Sequence, residues 1–183
     1  MFQTICKMNK ACQTKALEQV IQLAAEIARE GREGRKIGTM LIIGDEQAVL
    51  KKSRPLILDP LQGHHPEVKT IHDPNMRETA KELAQLDGAF IVAGDGTFVS
   101  AARYVNADSN GIRMPLGLGA RHMAAAAITK ETKAVAIVVS ESSAVRVFIQ
   151  GSIVAEAIPE TTSMLNREFS SIDTPLTPSS KLN

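Results

Sequence analysis

Three short runs of almost entirely apolar residues constrain the fold of this 183-residue chain most strongly. They occupy positions 37–43, 89–92 and 133–139. Their length and their content of β-branched residues are typical of strands that are buried on both faces of a sheet. Because such a sheet has helices packed against both sides, the runs favour an α/β fold.

Three other segments have the features of helices. Apolar residues recur at helical spacing over about 15–32, and Gly31 ends that pattern. The pair Asp73-Pro74 supplies an N-cap residue and a first helical position, which predicts a helix that continues to about Leu86. An alanine-rich segment predicts a third helix over about 121–129.

Hairpins are predicted where turn residues separate short apolar segments. The turn Gly94-Asp95-Gly96 leads into 97–99, which would pair back on the preceding strand. Gly151 separates the apolar segments 145–149 and 152–154 in the same way. These patterns predict antiparallel pairs beside the buried strands.

The order of these segments predicts a mixed central β-sheet flanked by helices. Strands and helices alternate early in the chain and hairpins dominate later, so the regular βαβ rhythm of a Rossmann fold is missing. Two further short strands are expected at 48–50 and 55–58.

The predicted domain organisation is simple. Residues 1–14 form an N-terminal extension, and residues 15–158 form the folded domain. Residues 159–183 are rich in Ser, Thr and Pro, which is typical of a flexible C-terminal tail.

Composition excludes several classes of function. The net charge is +1, aromatic residues make up 3% of the chain and Trp is missing, so neither a basic surface nor a base-stacking platform for nucleic acid is expected. The sequence contains neither an apolar stretch long enough for a membrane helix nor a secretory leader. We therefore expect a cytoplasmic protein with no membrane and no nucleic acid among its partners.

Asp87-Gly88-Ala89 is the first segment that could carry chemistry. It lies where the second predicted helix meets the apolar run at 89–92. Asp-Gly is common at turns, so the tripeptide alone fits a structural role as well. The alternative is that the Asp87 carboxylate holds a metal or activates a hydroxyl group.

A glycine-rich loop at 117–122 is the second such segment, and it leads into the alanine-rich helix. Glycine allows a ligand to approach the backbone, and the first turn of a helix offers unpaired N–H groups. Arg121 can bind phosphate oxygens, and His122 can contact phosphate or a metal. The loop is neither a Walker A motif nor GxGxxG. A solvated loop that only positions the helix remains the alternative.

Ser140-Glu141 follows the third apolar run directly. A hydroxyl and a carboxylate at the end of a buried strand are suitable ligands for phosphate and a divalent metal. The same pair is also common in ordinary turns.

Taken in order, these motifs resemble the diadenylate cyclase domain family, in the form of its archaeal branch. That family combines an Asp-Gly-Ala motif with a downstream Arg-His motif in a glycine-led loop, here Asp87-Gly88-Ala89 and Gly119-Ala120-Arg121-His122. Similarity extends to the run at 37–44, the loop at 58–64 and the Ser140-Glu141 strand end. In all, the resemblance covers about residues 15–157.

The resemblance implies an enzyme that condenses two ATP molecules into cyclic di-AMP and releases two pyrophosphates, at a face-to-face interface in a homo-oligomer. It implies that Asp87 assists the attacking 3′-hydroxyl, that Arg121 and His122 hold phosphates, and that Mn²⁺ or Mg²⁺ is held by Asp87 and Glu141. The ATP-binding positions carried over are Gly88, Ala89, Val105, Gly119, Ala120, Arg121, His122, Met123 and Ser140.

Two positions depart from the common bacterial motif Thr-Arg-His-Arg. Ala120 stands in place of the Thr and Met123 in place of the last Arg, so a hydroxyl and a cation near the phosphates are missing. These departures leave open a second interpretation, a catalytically degenerate module that binds ATP or cyclic di-AMP.

Overall fold

The computed structural model describes residues 11–158 and 170–171. In chain order the elements are α1 (Thr14–Glu30), β1 (Thr39–Ile43), α2 (Glu46–Lys51), β2 (Ser53–Pro55), a 3₁₀ turn (Pro66–Val68), α3 (Pro74–Leu83), β3 (Ala89–Val92), β4 (Phe98–Val105), α4 (Ala120–Glu131), β5 (Val135–Val139), β6 (Val145–Ile149), β7 (Ser152–Ala157) and β8 (Ser170–Ser171).

All described strands belong to one sheet with the order β2-β4-β3-β1-β5-β6-β7-β8. β1 and β3 run parallel, and the other neighbouring pairs are antiparallel. Helices pack on both sides, α1 against β1, β5 and β6 and α4 against the same three strands and β7. The predicted mixed sheet flanked by helices is confirmed.

Side chains of the central strands alternate between two hydrophobic cores. Leu41 and Ile43 of β1 face α1, whereas Met40 and Ile42 face α4. Every residue of β1, β3 and β5 is buried, because helices cover both faces. The three apolar runs therefore form the strands at the centre of the sheet, as their composition predicted.

Most predicted elements are confirmed with small changes at their ends. Asp73 is the N-cap of α3, where its side chain accepts a hydrogen bond from the Asn75 N–H at 2.8 Å. α3 ends at Leu83, short of the predicted Leu86. β4 extends well beyond the predicted 97–99, through Val105.

The two short strands expected at 48–50 and 55–58 are wrong. Residues 48–50 lie in α2, which follows Asp45 in the left-handed conformation with φ of 47°. Val49 is the buried residue of this helix, and Leu50 is partly buried against the same core. Three apolar residues make a pattern too short to distinguish a strand from a helical turn. β2 covers Ser53–Pro55 instead and shares only Pro55 with the predicted segment.

The predicted domain boundaries remain predictions. α1 begins at Thr14, next to the expected start of the domain at residue 15. Within the expected tail, β8 pairs with β7. Residues 1–10, 159–169 and 172–183 lie outside the described part of the chain.

A network of charged side chains joins α1 to α3. The Lys81 side chain is 8% exposed, and its ammonium lies 3.2 Å from Glu26, 3.1 Å from Glu30 and 2.9 Å from Glu78. Burial alone would lower the pKa of Lys81, but hydrogen bonds to the three carboxylates outweigh it and raise the pKa above its usual value. Lys81 is therefore charged at neutral pH and holds the two helices together.

We expect Lys81→Met to lower the free energy of unfolding by about 2 kcal/mol, because it leaves Glu26 and Glu30, which are 18% and 36% exposed, without the cation that they share. Urea denaturation at pH 7 measures the change. Lys51→Met is the matched control, since Lys51 is an exposed lysine in α2. Equal effects of the two substitutions would contradict a stabilising role for the network.

Candidate functional site

The sheet topology brings four strand ends together at one end of the molecule. Met40 near the start of β1 lies beside Ala89 at the start of β3 and beside Val138 near the end of β5. Ala89 in turn lies beside Arg103 in β4. The N-terminus of α4 covers this end of the sheet, and a cleft of about 820 Å³ lies between them.

The cleft is lined by residues from each of the predicted motifs. The lining residues are Met40, Leu56, Asp87, Gly88, Arg103, Tyr104, Val105, Gly117, Gly119, Ala120, Arg121, His122, Ala124, Val138, Val139, Ser140 and Glu141. Segments that are far apart in sequence, Asp87-Gly88, Gly119 to His122 and Ser140-Glu141, therefore form a single site.

Arg121 lies between two carboxylates at the mouth of the cleft. Its Nη2 is 3.4 Å from Asp87 Oδ1, and its Nη1 is 3.5 Å from Glu141 Oε1. The side chains of Asp87 and Glu141 are 87% and 72% exposed, and that of Arg121 is 38% exposed. Such long, solvated contacts contribute little to stability, so an incoming anion can displace the carboxylates from Arg121.

Gly38, just before β1, makes room for the Arg121 guanidinium. A Cβ atom at this position would lie 2.6 Å from Arg121 Nη1 and 3.3 Å from Glu141 Cγ. The guanidinium therefore lies against the backbone of the β1 end, where any side chain would displace it.

We expect Gly38→Ala to weaken anion binding in the cleft about fivefold to tenfold, because the new methyl group moves the end of a flexible side chain out of place. The melting temperature should stay within about 2 °C of the wild type, since no backbone atom is among the contacts closest to the new Cβ. Isothermal titration with ATP, the nucleotide that the sequence resemblance implies, and a thermal melt measure the two effects. Unchanged ATP affinity would contradict a role for Gly38 in placing Arg121.

Gly88 places Asp87 at the edge of the cleft through a conformation that glycine adopts easily. Its φ is 101°, and a Cβ atom would lie 2.7 Å from the backbone nitrogen of Arg103. The β3–β4 pairing is irregular at this point, and Ala102 has a φ of 52°. The Asp-Gly pair thus produces the turn that the sequence analysis considered, and Gly88 also lets β4 approach closely.

His122 lies in the first turn of α4 with its ring against β6. It is 6% exposed, and its Nε2 is 3.1 Å from Nη1 of Arg146. Burial lowers the pKa of His122 below its usual value, and the positive charges of Arg146 and Arg121 lower it further while Glu156 opposes them. His122 is therefore neutral at pH 7.

Ser140 and Glu141 begin the turn between β5 and β6. The Ser140 hydroxyl lies 2.7 Å from that of Ser142 and accepts a hydrogen bond from the Ala144 N–H at 3.2 Å. These contacts hold Ser140 at the cleft wall, and the neighbouring Glu141 side chain lies 3.5 Å from Arg121 Nη1. The pair is part of a turn and also lines the site.

The opposite wall of the cleft is more apolar. Leu56, Tyr104 and Val105 line it, and Tyr104 has the Arg54 guanidinium 4.9 Å from its ring centre. The side chain of Arg103, which precedes Tyr104 in β4, is held in place because its Nη2 donates a hydrogen bond to the Ser53 carbonyl at 2.9 Å. A flat, uncharged ring system fits this wall better than a phosphate does.

Sequence reasoning missed several of these residues. Leu56, Arg103, Tyr104 and Arg146 were not assigned to the site. For Arg146 the available signal was a charged residue in an otherwise apolar strand. Its partners His122 and Glu156 become apparent only from the strand register and helix packing.

Two predicted site residues lie elsewhere. Within the described residues, Ala89 and Met123 are not part of the cleft lining. The Ala89 side chain is buried in the core between the sheet and α4, and Met123 is half-buried in α4. Their proposed contacts with a nucleotide remain predictions.

No group of three or more His, Cys, Asp or Glu side chains within residues 11–158 is arranged to hold a metal ion. The cleft instead offers two carboxylates, Asp87 and Glu141, on either side of Arg121. Mg²⁺ commonly binds one or two carboxylates and completes its shell with substrate phosphates and water, so this donor set fits a divalent ion that arrives with a phosphate ligand.

Comparison with known proteins identifies relatives over most of the chain. A family model described as DAC, DisA bacterial checkpoint controller nucleotide-binding, matches residues 26–153. A diadenylate cyclase of Methanocaldococcus jannaschii is 45% identical over 160 residues, which are 87% of this chain and 49% of the relative. A diadenylate cyclase of Haloferax volcanii is 40% identical over 153 residues, 83% of this chain and 56% of the relative. This chain therefore spans about half the length of the curated relatives it matches.

Solved structures share the fold at lower identity. A hypothetical membrane spanning protein from Bacillus cereus matches with a TM-score of 0.57 and 16% identity, covering 79% of this chain and 63% of the other. A double cysteine variant of DacA from Staphylococcus aureus matches with a TM-score of 0.51 and 22% identity, covering 80% and 89%. Among the described residues of the present chain, no helix is both long and apolar enough to span a bilayer.

Proposed function

This chain belongs to the DAC family of nucleotide-binding domains, and from that premise we propose that it is a diadenylate cyclase, which condenses two ATP molecules into cyclic di-AMP. The observation that carries the proposal is the meeting of Asp87, Arg121 and Glu141 at the mouth of one cleft. Carboxylates and a guanidinium suit phosphoryl transfer, because that chemistry depends mainly on position and charge neutralisation. We place the reaction in the cytoplasm, where ATP is available.

The shape of the cleft supports a single ATP per chain. Its volume of about 820 Å³ is in the usual range for one small-molecule ligand. The apolar wall at Leu56, Tyr104 and Val105 suits adenine, and the polar wall at Arg121, His122 and Ser140 suits the phosphates.

In the proposed reaction the 3′-hydroxyl of each ATP attacks the α-phosphorus of the other. Two bonds from 3′-oxygen to phosphorus form, two bonds to pyrophosphate break, and each hydroxyl loses its proton. Asp87, exposed at the edge of the cleft, accepts the hydrogen bond from the attacking hydroxyl and assists the loss of its proton. The second ATP must come from another copy of the chain, so we propose a homo-oligomer with two clefts face to face.

Arg121 changes partners when ATP binds in this account. Its contacts at 3.4 and 3.5 Å to Asp87 and Glu141 are replaced by shorter bonds to phosphate oxygens. The two carboxylates are then available for Mn²⁺ or Mg²⁺. When bound, the divalent ion would neutralise charge on the phosphates and the leaving pyrophosphate.

Ala120 and Met123 motivate a second candidate, a module that binds ATP or cyclic di-AMP without turnover. Met123 lies outside the described lining of the cleft, which weakens that alternative. Ala120 lines the cleft, but its neighbours Gly119, Arg121 and His122 still offer backbone and side-chain donors.

The test is incubation of the purified chain with ATP and either Mn²⁺ or Mg²⁺, followed by mass spectrometry. We expect cyclic di-AMP, with linear dinucleotide only as a minor species. Binding of ATP without any cyclic product, with either ion and at high protein concentration, would favour the degenerate module and contradict the cyclase.

A further inference from the structure

We propose that Arg146 is a positioning residue that fixes His122 as the tautomer protonated on Nδ1, so that His122 presents a neutral hydrogen-bond donor to the phosphates. The inference rests on the proposed function only for its effect on turnover. The tautomer itself is a property of the free protein and is tested separately.

The first step is the direct contact between the two side chains. Arg146 Nη1 and His122 Nε2 are 3.1 Å apart. A guanidinium carries only donors and stays protonated at any accessible pH. Because Arg146 has no atom that can accept a hydrogen bond, His122 Nε2 must be the acceptor. The proton of the neutral ring is therefore on Nδ1.

The second step is the rigidity of Arg146. On β7, Glu156 lies directly opposite Arg146 on β6. Arg146 Nε donates to Glu156 Oε2 at 3.1 Å, and Nη2 donates to Oε1 at 2.9 Å. This two-point contact fixes the plane of the guanidinium, and the Arg146 side chain is only 14% exposed. The direction in which Nη1 points is thereby set by the sheet.

The third step is the position of His122 between this pair and the cleft. His122 lines the cleft together with Arg121, and its ring is also close to Phe148, with centroids 6.1 Å apart. Since Nε2 is bonded to Arg146, Nδ1–H is the ring group left to meet a ligand. A cation beside Nε2 also makes that nitrogen a poor ligand for a divalent metal ion.

The charges around His122 favour the same state. Arg146 on β6 and Arg121 on α4 disfavour a second proton on the ring, whereas Glu156 on β7 favours it. Burial adds to the effect of the two arginines. His122 therefore donates a hydrogen bond as a neutral group, whereas Arg121 is the cation that binds the phosphates.

Nitrogen-15 NMR of the imidazole groups in the full chain tests the tautomer directly. His122→Gln identifies the signal. We expect the Nδ1–H tautomer in the wild type at pH 7 and a mixture with Nε2–H in Arg146→Met, where the lone pair on Nε2 has lost its donor. Arg146→Lys, which keeps a donor and a positive charge, should retain the wild-type tautomer.

Kinetics with ATP test the consequence. Arg146→Met should lower kcat about tenfold with less than about a threefold change in KM, because the ring is misplaced for the reacting phosphates. It should also move the acid limb of the pH–activity profile to higher pH than in the wild type, because losing the neighbouring cation removes one of the causes that lower the pKa of His122. Arg146→Lys should restore most of the activity.

An Nε2–H tautomer in the wild type, or the same tautomer in the wild type and Arg146→Met, would overturn the proposal. If the wild type makes no cyclic di-AMP at all, the proposed function fails, but the NMR measurement still decides the role of Arg146. The two failures are therefore distinguishable.

Discussion

Asp87→Asn is expected to lower the rate of cyclic di-AMP formation by about 100-fold to 10,000-fold, the range found for groups that assist proton transfer. Asn keeps the shape of the side chain and an oxygen that can accept a hydrogen bond from Arg121. It cannot take a proton or bind a divalent ion as a carboxylate does. The loss should therefore appear in kcat.

ATP binding should survive the same substitution. Asp87 is 87% exposed, so the substitution leaves the fold intact. It removes a negative charge from the mouth of the cleft, so it adds no electrostatic repulsion towards the phosphates. We expect the dissociation constant for ATP to change by less than about threefold. Titration calorimetry measures binding, and quantitative mass spectrometry measures product.

Asp95→Asn is the matched control. Asp95 also belongs to an Asp-Gly pair, but it is exposed in the turn at the far end of β3, where its side chain accepts a hydrogen bond from the Thr97 N–H at 2.9 Å. Asn can make the same turn contact, so activity should stay within about twofold. Turnover retained in Asp87→Asn would remove Asp87 from the reaction.

Arg121→Met should lower turnover by about 1,000-fold or more, the lower end of the effect of arginines that stabilise a transferring phosphoryl group. ATP affinity should also fall, by about 10-fold to 100-fold, because a charge-assisted hydrogen bond to phosphate contributes about 1.5–3 kcal/mol. Removing the guanidinium also leaves Asp87 and Glu141 unpaired at the mouth of the cleft, where they repel the phosphates. Steady-state kinetics and titration calorimetry separate the two losses.

Arg121→Lys and Arg29→Met define the origin of that loss. Lys keeps the charge but not the two-point geometry, so Arg121→Lys should recover affinity more than turnover. Arg29 lies on α1 with its side chain 54% exposed and paired with Glu30, so Arg29→Met should leave the kinetics unchanged. An Arg121→Met protein as active as Arg29→Met would contradict the proposed phosphate-binding role.

The centre of the fold could be predicted from the sequence because its signals are local. A run such as 37–43 has enough buried, β-branched residues to specify a central strand, and Asp73-Pro74 specifies a helix start. The segment at 48–50 could not be assigned, since three apolar residues fit one helical turn as well as a strand. The C-terminal end of β4 is partly exposed, and the pairing of β4 with β3 is irregular. The length of β4 therefore depends on its contacts with β2 and β3.

In the candidate site, too, some residues have local sequence signals and others depend on tertiary contacts. Asp87, Arg121, His122, Ser140 and Glu141 belong to recognisable motifs, and the structure brings them to one cleft. The residues that hold these groups in place had no comparable signal. Gly38 acts by lacking a side chain near Arg121, and Arg146 acts through strand register. Such roles follow from the three-dimensional neighbours, which a single sequence does not contain.

The stoichiometry and concentration dependence of the ATP reaction test the central proposal most directly. The purified chain is incubated with ATP and Mn²⁺ or Mg²⁺ over a wide range of protein concentrations, and ATP, pyrophosphate and cyclic di-AMP are quantified. The account predicts two ATP consumed and two pyrophosphates released for each cyclic di-AMP, with activity per chain falling on dilution as the two clefts separate. Absence of cyclic product at every concentration with both ions, or activity per chain that is unaffected by dilution into a monomeric state, would contradict it.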